Sequence, residues 1–254
     1  MPIRLLLFST VVLVVAALMG APAAFGAAVM GAPAAFGAAV MGAPVTFGDA
    51  GTVNVQVRVE GKTRTIFGET EPTLTPVIGA IAAEGEGEGE EEVMVSAPTA
   101  LGALEAASLA GEFDYNLKLF SFGSFVDRIA RFSSKGATGW LFKVNGKAPD
   151  VGASDVVLKD GDVVLWYWAK LDSTTFAGPD TLNLIRKRGC LVAQVVNANG
   201  KATRVRNVVF RLDEVRRIRS KSGRICTGNY KKARAVKRSR GGSQYHIRSQ
   251  VLTR

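Results

Sequence analysis

The sequence predicts an α+β domain followed by a small all-β sandwich, behind an N-terminal export signal. Three observations carry this reading. From Thr52 onward, short apolar runs alternate with polar residues at period two, and one helix-like stretch interrupts them. Beyond residue 180 the runs shorten, and turn residues recur between seven of them. Charge divides at the same place. Residues 1–181 hold 12 basic and 20 acidic side chains, whereas residues 182–254 hold 20 basic side chains and only Asp213 and Glu214 as acids, a balance of +18. Two surfaces this different point to two units, the second attracted to polyanions.

The 254 residues are 47% hydrophobic, enough for packed cores. One His and two Cys exclude most multi-ligand zinc and iron–sulfur sites. No cofactor or metal is expected.

Arg4 is the only charge before Asp49, and residues 5–19, LLLFSTVVLVVAALM, form an apolar core followed by Ala21-Pro22-Ala23. A basic start, a short apolar core and small exit residues read as a secretory signal over 1–28, with an uncleaved membrane anchor as the alternative. An 11-residue unit, AAVMGAPAAFG in its middle copy, occurs three times across 16–48. Pro22, Pro33 and Pro44 interrupt any helix there, so residues 29–50 read as an Ala/Gly/Pro linker.

The first folded unit is expected over 51–170. TVNVQVRV (52–59) and KTRTIF (62–67) flank Glu60-Gly61 as a hairpin. LGALEAASLA (101–110) is helical in propensity, with Thr99 as N-cap and Gly111 as stop. Strands resume at 114–122, 125–132, 139–146 and 162–169. Between Pro76 and Pro98, six Glu within residues 84–92 alternate with or follow Gly, which predicts a disordered acidic insertion over 77–98.

VRVEGKTRTIFGETEP, ALEAASLAGEFDY and GWLFKVNGKAPDVGASDVVLKDGDVVLWYWA together resemble the transcobalamin C-terminal-like domain of secreted bacterial proteins. The resemblance covers about 51–170 and implies a β-grasp fold and a binding or scaffolding role. It transfers no vitamin ligand, because no contact residue can be matched. Trp140, Trp166 and Trp168 are the candidate ligand-binding residues. They read either as core filling or as a stacking platform for a flat ring or a sugar.

After a linker at 171–180, the basic unit at 181–254 offers seven short strands, the pattern of a β-sandwich, weakly resembling carboxypeptidase-regulatory-like or immunoglobulin-like modules. Cys190 and Cys226 both fall in strands, and an exported chain with one pair is expected to join them. Arg216, Arg217, Arg219 and Lys221 are the candidate polyanion contacts, for envelope polymers or lipid headgroups. No helix-turn-helix, zinc-finger or RNP pattern accompanies them, which argues against nucleic acid.

No G-x-S-x-G, H-E-x-x-H or S-x-x-K stands in the chain, and His246 is the only His. Asp127, Asp155 and Asp162 do not group around a cleft in any way the sequence reveals. The expected function is an exported, non-catalytic binding or scaffolding protein of the cell envelope, its β-grasp unit taking a ligand and its basic unit acting as an anchor. The alternatives are a carboxylate-dependent hydrolase, and a polyanion binder in which the first unit is a spacer.

Overall fold

The computed structural model describes residues 52–87, 89–121, 123–172, 178–237 and 247–254, all within one compact unit, Gly48–Arg254. The export signal and the repeat linker lie outside the described residues, as does His246.

In chain order the first half runs β1 (Val55–Glu60), β2 (Thr65–Phe67), β3 (Thr73–Leu74), β4 (Gly79–Glu84), β5 (Glu90–Val95), α1 (Ala100–Gly111), β6 (Tyr115–Phe120), β7 (Gly123–Ile129), β8 (Phe132–Ser133), β9 (Thr138–Val144) and β10 (Val163–Lys170). The second half continues with β11 (Thr181–Lys187), β12 (Cys190–Val196), β13 (Ala202–Arg204), β14 (Val208–Leu212), β15 (Arg216–Ser220), β16 (Arg224–Ile225), β17 (Lys232–Lys237), β18 (Ile247–Arg248) and β19 (Leu252–Thr253).

These strands form four sheets. One has the order β2-β1-β10-β9, with β3 also on β1, and β1 runs parallel to β10. A second has the order β5-β4-β6-β7-β8. The second half supplies β11-β12-β13 with β16 on β12, and β15-β14-β17-β18 with β19 on β17.

The expected α+β β-grasp class is overturned. The described residues are mostly strand in several sheets, with a single 12-residue helix. Residues 77–98, expected to be disordered, add to the strand content. They fold instead as the antiparallel pair β4 and β5, with Gly79 opposite Val95 and Glu84 opposite Glu90. Period-two alternation sends Ile81, Ala83 and Val95 into the core. The carboxylates gather at the solvent end, where Glu84 accepts from Asn116 Nδ2 at 2.5 Å and Glu86 from the Ser121 N–H at 3.2 Å. Charge density suggested disorder, but the alternation beneath it decides the fold.

The helix forms close to where it was expected. The Thr99 hydroxyl caps it by accepting from Gly102 N at 3.1 Å, and Glu112 closes it in a left-handed conformation, φ 49°. Gly111 is held to its size, since a Cβ there would stand 2.6 Å from the Phe67 ring. The expected Glu60-Gly61 turn is longer in the structure, closing through the Gly61 N–H to Arg64 O at 2.9 Å.

Two main cores result. Val55, Val57, Val59, Leu101, Leu104, Leu117, Ile129 and Trp166 pack between α1 and the first-half sheets. Leu182, Leu184, Leu191, Phe210 and Leu212 pack between the inner faces of the two second-half sheets. Cys190 and Cys226 form the expected disulfide, joining β12 to the segment just after β16.

Candidate functional site

The site is built on β9 and β10, whose antiparallel register sets Val144 opposite Val164, Phe142 opposite Trp166 and Trp140 opposite Trp168. These six side chains share the face toward α1. Trp140 and Trp166 are 3% and 2% exposed. Phe142 stacks on Trp166 with centroids 5.0 Å apart, and Trp140 meets Trp168 edge-on at 5.6 Å. Trp140 Nε1 donates to Phe132 O at 2.8 Å and Trp166 Nε1 to Ala100 O at 3.3 Å, while Trp168 Nε1 is buried without an acceptor. The structure thus brings the three tryptophans together within the first core, where they do not form an exposed platform.

Beside them lies a cavity of about 390 Å³. Two strands face each other across it, β7 through Ser124, Phe125 and Val126 and β9 through Trp140, Leu141 and Phe142. Phe125, 38% exposed, is the most exposed of the aromatic side chains that line it. Its rim comes from Pro149, Asp150, Gly178 and Asn199. β9 is an edge strand. Thr138 and Val144 turn their peptide groups outward, to Lys135 and Lys147. By the strand period, Trp140 and Phe142 turn theirs the same way, along the cavity, and among the described residues no backbone partner meets them there. The cavity therefore offers aromatic wall, two outward peptide edges that meet no backbone partner among the described residues, and one exposed carboxylate, Asp150.

Residues 98–170 match a domain of unknown function, DUF4430. That DUF4430 segment begins just before α1 and ends with β10, so it contains both strands that face the cavity. No curated protein matches the chain. The narrower transcobalamin-like resemblance is not part of what the DUF4430 match establishes.

The opposite face of β9 and β10 carries Leu141, Lys143, Leu165, Tyr167 and Ala169 and meets the second half. Lys143 is 0% exposed. Its Nζ donates to Val196 O at 2.8 Å, Asn197 O at 3.2 Å and Thr181 Oγ1 at 3.3 Å, and sits 5.8 Å from the Tyr167 ring centre. Burial lowers its pKa to about 8 against the opposing attraction of Asp180. Burial also raises the Tyr167 pKa, and Asp180 adds to it.

A second seam joins β1 to β18. Arg248 pairs with Glu60 at 2.8 Å, and Arg58 pairs with Glu60 at 3.3 Å and Glu71 at 3.2 Å, all four largely buried. Burial raises the Glu71 pKa more than Arg58 lowers it. Arg234 reaches Glu69 at 2.6 Å. These contacts tie β1 and the loop after β2 to strands β17 and β18 of the second half.

The four expected polyanion contacts do not converge. On β15, Arg217 and Arg219 point outward beside Arg211, whereas Arg216 belongs to the other face and donates to Asn229 O. Lys221 lies in the following turn. A different basic group was not foreseen: Lys187, Arg188, Arg204 and Arg224 ring a cavity of about 400 Å³ on the β11-β12-β13-β16 sheet. Spread over 38 positions of sequence, they share a surface only through strand register.

Of the three acids considered for catalysis, Asp127 sits 3.8 Å from Lys118, and Asp162 accepts from Asn145 Nδ2 and Lys159 N in a turn. Among the described residues, no three His, Cys, Asp or Glu side chains gather as a metal site, and no helix is long and apolar enough to cross a membrane.

Proposed function

We propose that this is an exported, non-catalytic binding protein of the cell envelope. The DUF4430 segment takes a ligand in the cavity between β7 and β9, and the basic second half attaches to anionic material. The observation that carries the reading is the cavity, with its aromatic wall and the outward peptide groups of Trp140 and Phe142 on edge strand β9, which meet no backbone partner among the described residues. An apolar wall with a few convergent polar groups is the usual make-up of a ligand site. The resemblance to the transcobalamin C-terminal-like domain supports it, since that family's relatives help close over a ligand. The tryptophans serve by shaping the wall from behind, and Phe125 and Phe142 present the contact surface. Export is supported by the Arg4 start and the apolar run at 5–19.

Nile red, a neutral apolar dye, tests the cavity without interference from the basic half. Wild type should enhance its fluorescence with one saturable site. Ala148→Phe, which fills the cavity from its rim, should abolish that site while keeping the native near-ultraviolet circular dichroism. Equal dye binding by the folded variant would overturn the assignment.

A further inference from the structure

We infer that the outer face of the β11-β12-β13-β16 sheet is a phosphate-binding site, a proposal that rests on the anchoring role given to the second half and says where it resides. Strand register sets Ile185 opposite Val192 and Asn183 opposite Gln194. It then sets Gln194 opposite Arg204 and Val192 opposite Arg224. Side chains directly opposite one another point to the same face, so Ile185, Lys187, Val192, Gln194, Arg204 and Arg224 form one surface. The other face, with Leu182, Leu184, Leu191 and Ala193, is buried in the second core.

Arg188 joins the surface from the β11–β12 turn, where its φ of 51° and that of Gly189, 72°, make a tight hairpin. The four cations surround a cavity of about 400 Å³ whose floor is Ile185 and Val192, with no carboxylate in its lining. No ion pair among the described residues uses any of the four. Arg58, Arg234 and Arg248 each meet a Glu, whereas these four like charges stand together without one.

Asp213, one of the two acids within 182–254, is occupied elsewhere, accepting from the N–H groups of Lys231 and Lys232 at 2.8 Å. Mutual repulsion is relieved when an anion binds. Three guanidinium groups suit tetrahedral oxyanions, to which each can present paired N–H donors. The disulfide helps to fix the geometry: Cys190 stands opposite Lys187, and Arg224 Nη2 lies 2.9 Å from Cys190 Sγ. No aromatic ring lines the cavity, so a nucleobase finds nothing to stack on. The fitting ligand is a phosphate group, carried free or along a base-free polymer.

The test uses the oxidised full chain at low ionic strength, titrated with inorganic phosphate, linear polyphosphate and a single-stranded oligonucleotide. Arg188→Asn with Arg204→Gln removes two groove charges. Lys201→Gln with Arg206→Gln removes two exposed charges outside it. Polyphosphate should bind more tightly than free phosphate if the site serves a polymer, and equally per phosphate if it serves the free ion; either agrees with the proposal. The groove pair should weaken polyphosphate binding by about tenfold or more, as lost charge-assisted hydrogen bonds do, and the outside pair by about twofold at most. Equal losses from the two pairs would overturn the groove and leave general anchoring standing. No binding of either phosphate form would remove both. An oligonucleotide preferred over polyphosphate of equal charge would overturn the ligand class.

Discussion

Replacing Lys143 by Met makes the stability of the chain respond differently to pH, and the sign follows from burial. In the folded chain the Lys143 ammonium has no solvent exposure, and its pKa falls from the ordinary 10.5 to about 8. The unfolded chain keeps the ordinary value, so between about pH 8 and 10.5 it binds more protons than the folded one. Stability contributed by this site therefore rises with pH across that window, and below pH 8 the full penalty of the buried charge is present. At about 1.4 kcal/mol per pKa unit, wild type gains on the order of 2–3 kcal/mol at this site between pH 7 and pH 10.

The Met variant has no such gain. At pH 7 it loses the Nζ contacts to Val196 O and Asn197 O, which costs about 1–3 kcal/mol, and sheds a desolvation penalty of similar size. The two chains should then be within about 2 kcal/mol at neutral pH, and wild type should move ahead as pH rises. Urea unfolding followed by tryptophan fluorescence, with the disulfide intact, measures the difference at each pH. A difference that stays flat from pH 7 to pH 10 would show that Lys143 titrates as a solvated lysine and would refute the account of the seam.

Two further outcomes follow from the fold. Non-reducing mass analysis should show two hydrogens fewer than the reduced chain, and replacing Cys190 and Cys226 by Ala should lower stability by roughly 4 kcal/mol if loop entropy dominates. Ile81→Ala should destabilise by about 2–4 kcal/mol in urea unfolding, because Ile81 is buried in the first core; a change near zero would restore the disordered reading of the acidic stretch.

What the sequence made legible was local. Thr99 announces its helix because a hydroxyl before an apolar run has one favourable use, and Cys190 and Cys226 announce their bond because the expected export leaves a strand-borne pair few other uses. The parallel pairing of β1 with β10 was not legible, since it joins segments about a hundred residues apart through register alone. Residues 79–95 were misread because six carboxylates outweighed the alternation of Ile81, Ala83 and Val95. The candidate site was half visible. Trp140 and Trp166 do border the cavity, but Phe125 and the edge of β9 give it its character, and no residue type marks an edge strand. The expected basic contacts are spread over two faces for a related reason. Arg216, Arg217, Arg219 and Lys221 are near neighbours in sequence, yet alternation along a strand throws adjacent side chains to opposite faces.

The cavity also sets a limit on where function is divided along this chain. The DUF4430 match ends at residue 170, yet the cavity is closed by Gly178, Ala198 and Asn199 from beyond it. Gly178 is placed tightly, since a Cβ there would stand 2.4 Å from the Tyr167 hydroxyl and 2.5 Å from Leu141 Cδ1. Asn199 is held by its bridge to Lys147, and Ala198 O accepts from Ala148 N at 2.7 Å. Lys143 ties the same region down through Val196 O and Asn197 O. The rim therefore depends on second-half residues held by hydrogen bonds to first-half strands. Changes at the Lys143 seam should reach the cavity by moving this rim, even though Lys143 itself does not line it. The matched domain supplies the wall and the second half supplies the closure, so the cavity belongs to the pair.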